Sequence, residues 1–235
     1  MMKLILKEIE KQFDDKKVLK KASFSFEKGK IYGLLGRNGA GKTTLFNCIN
    51  EDLMADGGSF YIEENNTPRP IVSRDIGYVL ATPVVPEFLT GREFLKFFMD
   101  INKDHIQQNN SIDDWFSFMK IDVEDRDKLM KDYSHGMKNK MQLLVNIIAN
   151  PSILLLDEPL TSFDVVVAEE MKHMLKEIKK DHILIFSTHI MELALDLCDE
   201  IVILNNGTLT EIPKDNLNQE DFKNRIIETL KEEKI

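Results

Sequence analysis

The fold of this chain is decided by residues 31–44, which read IYGLLGRNGAGKTT. The first five residues are a short apolar run, typical of a fully buried strand. Residues 36–43 match the pattern G-x-x-x-x-G-K-[ST], and the residues that follow predict a helix. Glycines in such a loop let backbone N–H groups surround a phosphate, and the helix adds its positive N-terminus. This context favours a phosphate-binding loop over a chance Gly-rich turn.

Two side chains of this loop suit a nucleoside triphosphate. Lys42 can reach the β- and γ-phosphates, while the hydroxyl of Thr43 is suited to Mg²⁺. The candidate nucleotide-binding residues here are Gly36, Arg37, Asn38, Gly39, Ala40, Gly41, Lys42, Thr43 and Thr44.

A second buried strand is predicted at residues 153–156, and it ends at Asp157 and Glu158. In a parallel sheet this end lies on the same edge as the phosphate loop. There Asp157 can hold Mg²⁺, directly or through water, and Glu158 can polarise an attacking water. Without the phosphate loop, the same residues would be interpreted as an acidic turn.

The rest of the pattern alternates strands with helices, which predicts an α/β fold with a parallel sheet. From residue 90 to 150 strand signals nearly vanish and apolar residues recur at helical spacing. The charged tail from residue 216 predicts a solvated helix with few core contacts. Further strands are predicted at 2–10, 17–26, 71–80 and 182–187, helices at 165–180 and 191–197, and a hairpin at 201–212.

With these residues in place, the chain resembles the ATP-binding-cassette (ABC) ATPases along nearly its whole length. The resemblance implies a P-loop NTPase (RecA-like) core with a parallel sheet, an N-terminal antiparallel β region and a helical subdomain. It implies one domain, residues 1–235, with a core at 1–85 and 151–215. The helical subdomain would occupy residues 86–150 and a charged C-terminal helix residues 216–235.

Three further residues take roles from this resemblance. Phe13 lies where the family places a ring that stacks on adenine, although it could equally be a loop or core aromatic. His189, in Ser-Thr-His, matches the switch histidine that supports catalysis near the γ-phosphate. Asp164 ends TSFD (161–164), which matches the loop through which two subunits communicate, and it could also be a helix N-cap.

Residues 133–137, YSHGM, resemble a degraded form of the family's signature motif. Ser134 and Gly136 are retained, and they present a hydroxyl and a bare backbone N–H at a helix N-terminus, aimed at a γ-phosphate. The form S-x-G-M-K, ending at Lys138, is similar to that of drug, lantibiotic and bacteriocin exporters. Taken alone, the motif would be an ordinary helix cap.

One departure from the family affects the site itself. After the strand predicted at 71–80 the family has Gln or Glu, which would touch Mg²⁺ or the attacking water. This chain has Ala81, whose methyl group can do neither. The substitution predicts slow turnover or altered coupling.

Composition and the resemblance together predict the partners. The net charge of −9 argues against nucleic acid. No secretory signal and no apolar run long enough to cross a bilayer are found, which predicts a cytoplasmic protein. The resemblance implies a second ABC ATPase subunit, favoured as a homodimer but open to a close relative, and an integral membrane permease that holds the chain at the inner face of the membrane. The aromatic-rich block at 86–150 would contact that permease, with most rings in the core and one or two exposed near residues 83–88.

The sequence therefore predicts the ATP-binding and ATP-hydrolysing subunit of a transporter that exports a peptide, drug or lipid. The alternative is a nucleotide-dependent regulatory module with little turnover, which Ala81 favours. An ABC ATPase acting on ribosomes or DNA repair is disfavoured by the short acidic chain. A small-molecule kinase would leave Ser134, Gly136, Asp164 and His189 unexplained.

Overall fold

The computed structural model describes residues 1–104, 106, 110–160, 163–213 and 219–231. Within these residues the chain forms ten strands and seven helices. The strands are β1 (Met2–Phe13), β2 (Lys16–Glu27), β3 (Ile31–Leu35), β4 (Gly57–Glu64), β5 (Thr67–Arg69), β6 (Ile76–Val79), β7 (Ile153–Asp157), β8 (Ile183–Thr188), β9 (Glu200–Asn205) and β10 (Thr208–Ile212). The helices are α1 (Lys42–Ile49), α2 (Gly91–Ile101), α3 (Ile112–Phe118), α4 (His135–Ala149), α5 (Val165–Ile178), α6 (Met191–Leu197) and α7 (Gln219–Lys231).

The larger sheet has six strands in the order β10-β9-β3-β8-β7-β6. All neighbouring pairs are parallel except β9–β10, which forms the predicted antiparallel hairpin. Strand β8 lies between β3 and β7. The phosphate loop after β3, the acidic pair after β7 and the segment after β8 therefore meet at one edge of the sheet.

The smaller sheet is antiparallel, with the order β2-β1-β4-β5. Helix α1 packs between the two sheets, where Phe46 is fully buried. Alternation along β3 sends Tyr32 and Leu34 into this core, while Ile31 and Leu35 join a second core with the helices beyond. Both faces of β3 are thus covered, which explains its unbroken apolar sequence.

The helical stretch of the sequence forms α2, α3 and α4, and no named strand falls between residues 91 and 149 as far as they are described. Helix α2 begins with a capping box, in which Thr90 and Glu93 bond each other's backbone N–H groups. Trp115 and Phe116 of α3 are buried, whereas Phe88 is 78% exposed. Phe94 and Phe98 are partly buried against the same core, whereas Phe97 and Phe118 are exposed, so four of the seven rings in this block contact the core and Phe88 near residues 83–88 does not.

Two parts of the N-terminal half differ from the sequence prediction. The strand predicted at 71–80 is only Ile76–Val79, because residues 73–75 form a 3₁₀ turn held by Asp75. The Asp75 carboxylate accepts bonds from Arg69 at 2.7 Å and from the backbone N–H of Val72 at 2.9 Å. The β4–β5 hairpin was not predicted, although Asn65 and Asn66 at its turn both take the positive φ that such turns require.

The prediction for the C-terminal tail was wrong about its contacts. Helix α7 is charged, but Phe222 and Ile226 lie one turn apart on one face and are buried in the main core. Asn205 at the end of β9 also donates from its side chain to the carbonyl of Thr229, at 2.7 Å. Leu230, a further four residues along, packs against the same core, so an apolar stripe at i, i+4 and i+8 docks a helix that is otherwise mostly polar.

The two cysteines, Cys48 and Cys198, are both buried. Among the residues described, the structure has no helix that is both long and apolar enough to cross a membrane.

Candidate nucleotide site

The phosphate loop leaves β3 at Gly36 and returns into α1 at Lys42. The Lys42 side chain is 7% exposed, and its ammonium group donates to the carbonyl of Gly36 at 2.9 Å and lies 3.7 Å from a carboxylate oxygen of Glu158. Gly41 has φ of 105°, and a Cβ there would lie 2.7 Å from a methyl of Val18. Only glycine fits this position, both for its backbone conformation and for the space available.

The carboxylate of Asp157 is held by two hydroxyl groups. Thr43 Oγ1 donates to one carboxylate oxygen at 2.8 Å, and Ser187 Oγ at the end of β8 donates to the other. Asp157 is 3% exposed, and these two hydrogen bonds offset the free-energy cost of burying its carboxylate. The predicted metal-binding residues, Thr43 and Asp157, are therefore adjacent in space.

These two residues fit a magnesium ion. Hydroxyl and carboxylate oxygens are the ligands that Mg²⁺ takes from proteins, usually one or two per site, with phosphates and water completing the octahedron. The described residues contain no cluster of three or more His, Cys, Asp or Glu side chains that could hold a metal without such help.

Glu158 and His189 form a second contact in the same region. Nδ1 of His189 lies 2.9 Å from both carboxylate oxygens of Glu158. Glu158 has φ of 50°, a conformation that costs a non-glycine residue about 1–2 kcal/mol. Its N–H is anchored on Ser187, where the hydroxyl accepts at 3.1 Å. This strained backbone directs the carboxylate towards Lys42 and His189.

The loop and the carboxylates line one cleft of about 470 Å³. Phe13 lines it at the end of β1 and is 44% exposed, so its ring is accessible to a flat ligand. Ala81, just beyond β6, also lines it and presents only a methyl group. The full lining is Phe13, Lys16, Val18, Asn38, Gly39, Gly41, Lys42, Thr43, Thr44, Ala81, Asp157 and Glu158.

The structure does not bring the predicted signature residues into this cleft. Ser134 is exposed and caps α4, accepting the N–H of Met137 at 3.2 Å. Gly136 lies against Phe163, whose ring would be 3.2 Å from an added Cβ. Neither residue is among those that line the cleft of the same chain.

Asp164 also lies outside the lining of the cleft. Its side chain caps α5 and accepts the N–H groups of Val166 and Val167, both at 3.0 Å. The N-cap interpretation is thus confirmed. Thr161 and Ser162 of the same motif lie outside the described residues.

The sequence analysis did not identify three residues that line the cleft or contact its side chains. Ser187 precedes Thr188 and His189 at the end of an apolar run, a position from which its contact with Asp157 could have been suspected. Lys16 and Val18 reach the cleft because β2 runs antiparallel to β1 beside Phe13. Only the pairing of these strands brings them there.

A phosphate loop between a buried strand and a helix, facing an Asp-Glu pair on a parallel strand two positions away, defines a P-loop NTPase. The model of the ABC transporter family matches residues 19–161, more than half of the sequence. The chain belongs to the ABC transporter family as an ATP-binding subunit, and it is an ABC-type ATPase.

Individual relatives agree with this assignment. An uncharacterized ABC transporter ATP-binding protein of Methanocaldococcus jannaschii is 35% identical over 209 residues, which are 87% of this chain and 75% of that protein. A sulfate/thiosulfate import ATP-binding protein of Agrobacterium fabrum is 31% identical over 216 residues, 89% of this chain and 63% of that protein. Among solved structures, an ATP-binding cassette in a dimeric, post-hydrolysis state with ADP and Pi has a TM-score of 0.73 at 18% identity, covering 89% of this chain and 99% of the other. That last likeness confirms the fold.

Proposed function

We propose that this subunit hydrolyses ATP as one half of a dimer, preferably with a second copy of itself, and powers export through a separate membrane permease. The observation that carries the proposal is the division of the site residues. One cleft contains Lys42, Thr43, Asp157 and Glu158, whereas Ser134 and Gly136 lie on another surface of the same chain. A second copy would supply them to the nucleotide.

In this arrangement each residue of the cleft has a distinct role. The loop N–H groups and Lys42 bind the phosphates, and Phe13 stacks on the adenine ring. Thr43 and Asp157 hold Mg²⁺, which neutralises charge on the β- and γ-phosphates when it is bound. Glu158 orients and deprotonates the attacking water, and His189 holds the Glu158 carboxylate in place.

The permease would dock on the apolar surface before α2. Val84 is 71% exposed and Phe88 78% exposed, and large apolar side chains of this kind suit a protein interface. Docking there would hold the chain at the cytoplasmic face of a membrane. Export rather than import rests on the S-x-G-M-K form of residues 134–138, although the relative from Agrobacterium fabrum is named as an import protein.

Replacing the catalytic carboxylate tests the proposed dimer. Glu158→Gln keeps the shape of the side chain but cannot accept a proton, so ATP hydrolysis should fall by about 100-fold or more. ATP should still bind, and the variant should accumulate as a closed dimer in size-exclusion chromatography with light scattering.

The matched control is Glu177→Gln, an exposed carboxylate on α5 outside the lining of the cleft. It should hydrolyse ATP like the unmodified chain. A Glu158→Gln variant that binds ATP and stays monomeric at micromolar concentration would contradict the proposed dimer.

The second candidate function is a regulatory module with little turnover, and Ala81 is the observation that favours it. This residue lines the cleft without a polar group that could touch Mg²⁺ or water. If the missing side chain limits turnover, Ala81→Gln should raise the ATPase rate or its stimulation by the permease. Steady hydrolysis by the unmodified chain, unchanged in Ala81→Gln, would remove this candidate.

A further inference from the structure

Residues 87–90, before α2, are hydrogen-bonded to residues 129–131, which lead into α4. The N–H of Lys131 donates to the carbonyl of Glu87 at 3.1 Å, and the N–H of Met130 to that of Leu89 at 2.8 Å. Further along, Thr90 forms an isolated β-bridge with Leu129. Ser134 follows only three residues after Lys131 in the sequence. The two segments are therefore positioned together, although the paired residues lie 39 to 44 positions apart in the sequence.

A side-chain ion pair also joins the segment before α2 to α4 itself. Lys138 Nζ lies 2.6 Å from a carboxylate oxygen of Glu87, and the two side chains are 18% and 62% exposed. The N–H of Lys138 also donates to the carbonyl of Ser134 at 3.0 Å, in the first turn of α4. A cation so near a helix N-terminus is disfavoured by the helix dipole, and the Glu87 carboxylate offsets that cost.

We propose that Glu87 and Lys138 are a positioning pair for the ATP site, which hold the first turn of α4 so that Ser134 and Gly136 meet the nucleotide of the second copy. This inference rests on the proposed dimer. The Glu87 carboxylate binds Lys138 in the first turn of α4, and the N-cap of that turn is Ser134. The ion pair would therefore fix the position of the Ser134 hydroxyl. Neither Glu87 nor Lys138 lines the cleft of its own chain.

The test measures dimer formation in the Glu158→Gln background, where ATP should not be consumed. Dimer dissociation constants at saturating ATP are obtained by analytical ultracentrifugation. Because exposed ion pairs contribute modestly, Glu87→Gln should raise this constant by about two- to fivefold, and Glu87→Lys by more. Exchanging the charges, Glu87→Lys with Lys138→Glu, should restore the constant to within about twofold of the parent.

The Glu169–Lys172 pair provides a control with the same 2.6 Å distance and side-chain exposures of 54% and 12%. Lys172 also pairs with Asp196, at 2.5 Å. Glu169→Gln should leave the dimer constant unchanged. Binding of a fluorescent ATP analogue to the monomer should be equal in all variants, because the loop and Asp157 lie on other elements.

Three results would overturn the inference. One is a Glu87→Gln dimer as tight as its parent. Another is a tighter dimer in Glu87→Lys, which would mean that added positive charge matters rather than position. The third is a charge exchange that folds with the parent's circular dichroism spectrum but restores nothing. If the parent itself fails to dimerise with ATP, the proposed function is overturned as well, so the two failures are distinguishable.

Discussion

The position of the Asp157 carboxylate depends on a separate hydrogen bond to each of its two oxygens. Its two carboxylate oxygens accept from hydroxyls of α1 and β8, and the chain enters the next residue with a positive φ. Both carboxylate oxygens are therefore fixed by hydrogen bonds, and Thr43 Oγ1 beside them provides a further oxygen. Preorganised oxygen ligands lower the cost of binding Mg²⁺ with the nucleotide.

Asp157→Asn should weaken the dependence of nucleotide binding on Mg²⁺. The amide has no charge and its NH₂ group cannot coordinate a cation, so we expect the affinity for Mg²⁺ in the presence of an ATP analogue to fall by at least about tenfold. Isothermal titration calorimetry with and without Mg²⁺ measures the difference. Ser187→Ala keeps the carboxylate, although it removes the hydrogen bond to Asp157 and the one accepted from the N–H of Glu158, and its Mg²⁺ affinity should fall less. Equal Mg²⁺ dependence in Asp157→Asn and the unmodified chain would contradict the assignment.

Among the secondary-structure elements, helix α7 differs most from its sequence-based prediction. Nine of its thirteen residues are polar or charged, namely Gln219, Glu220, Asp221, Lys223, Asn224, Arg225, Glu228, Thr229 and Lys231, which predicts solvation. Its docking depends on Phe222 and Ile226, which enter the core shared by β9 and β10. Helix α7 is therefore part of the folded core.

Ile226→Ala should lower the free energy of unfolding by about 2 kcal/mol, because it removes a fully buried side chain and leaves a cavity. The value lies at the lower end of the usual range because a terminal helix can detach locally. Urea denaturation followed by circular dichroism measures it. Asn224→Ala, an exposed position on the same helix, should change stability by less than about 0.5 kcal/mol. Similar values for both variants would show that α7 does not contribute to the core.

For the whole molecule, the site residues fall on two surfaces of one chain. The cleft at the sheet edge contains Lys42, and the exposed N-terminus of α4 contains Ser134. A symmetric dimer brings such surfaces together twice, since each copy contributes both. The proposed function thus predicts that two chains with different defects can together form one intact ATP site.

Mixing two inactive variants should therefore restore activity. Lys42→Ala disables the phosphate side and Ser134→Ala the opposite side, so each homodimer has two defective sites. A mixed dimer has one site with both defects and one with neither. We expect the ATPase rate of the mixture to exceed the mean of the separate variants, whereas a chain carrying both changes should restore nothing when mixed with either. A mixture that shows only the mean rate would contradict a shared site.

Local chemistry explains which parts of the fold and site were predictable. The buried strands β3 and β7 were identified from short apolar runs, and the loop and acidic pair from residue types that act within a few positions. The β4–β5 hairpin was missed because its strands are partly exposed and mix polar with apolar residues. Lys16 and Val18 were missed because their contacts depend on strand pairing, which no local pattern encodes.

The sequence alone determined that this protein has a phosphate loop, an Asp-Glu pair after a buried strand and an alternating α/β order, because each follows from neighbouring residues. The tertiary structure decided that the hydroxyls of Thr43 and Ser187 both donate to the carboxylate of Asp157, and that Ser134 lies apart from these three residues. It also decided that a charged tail belongs to the core. The physical reason is that parallel strands pair across long crossover connections, so the order in which they lie side by side is set by the packing of the whole sheet.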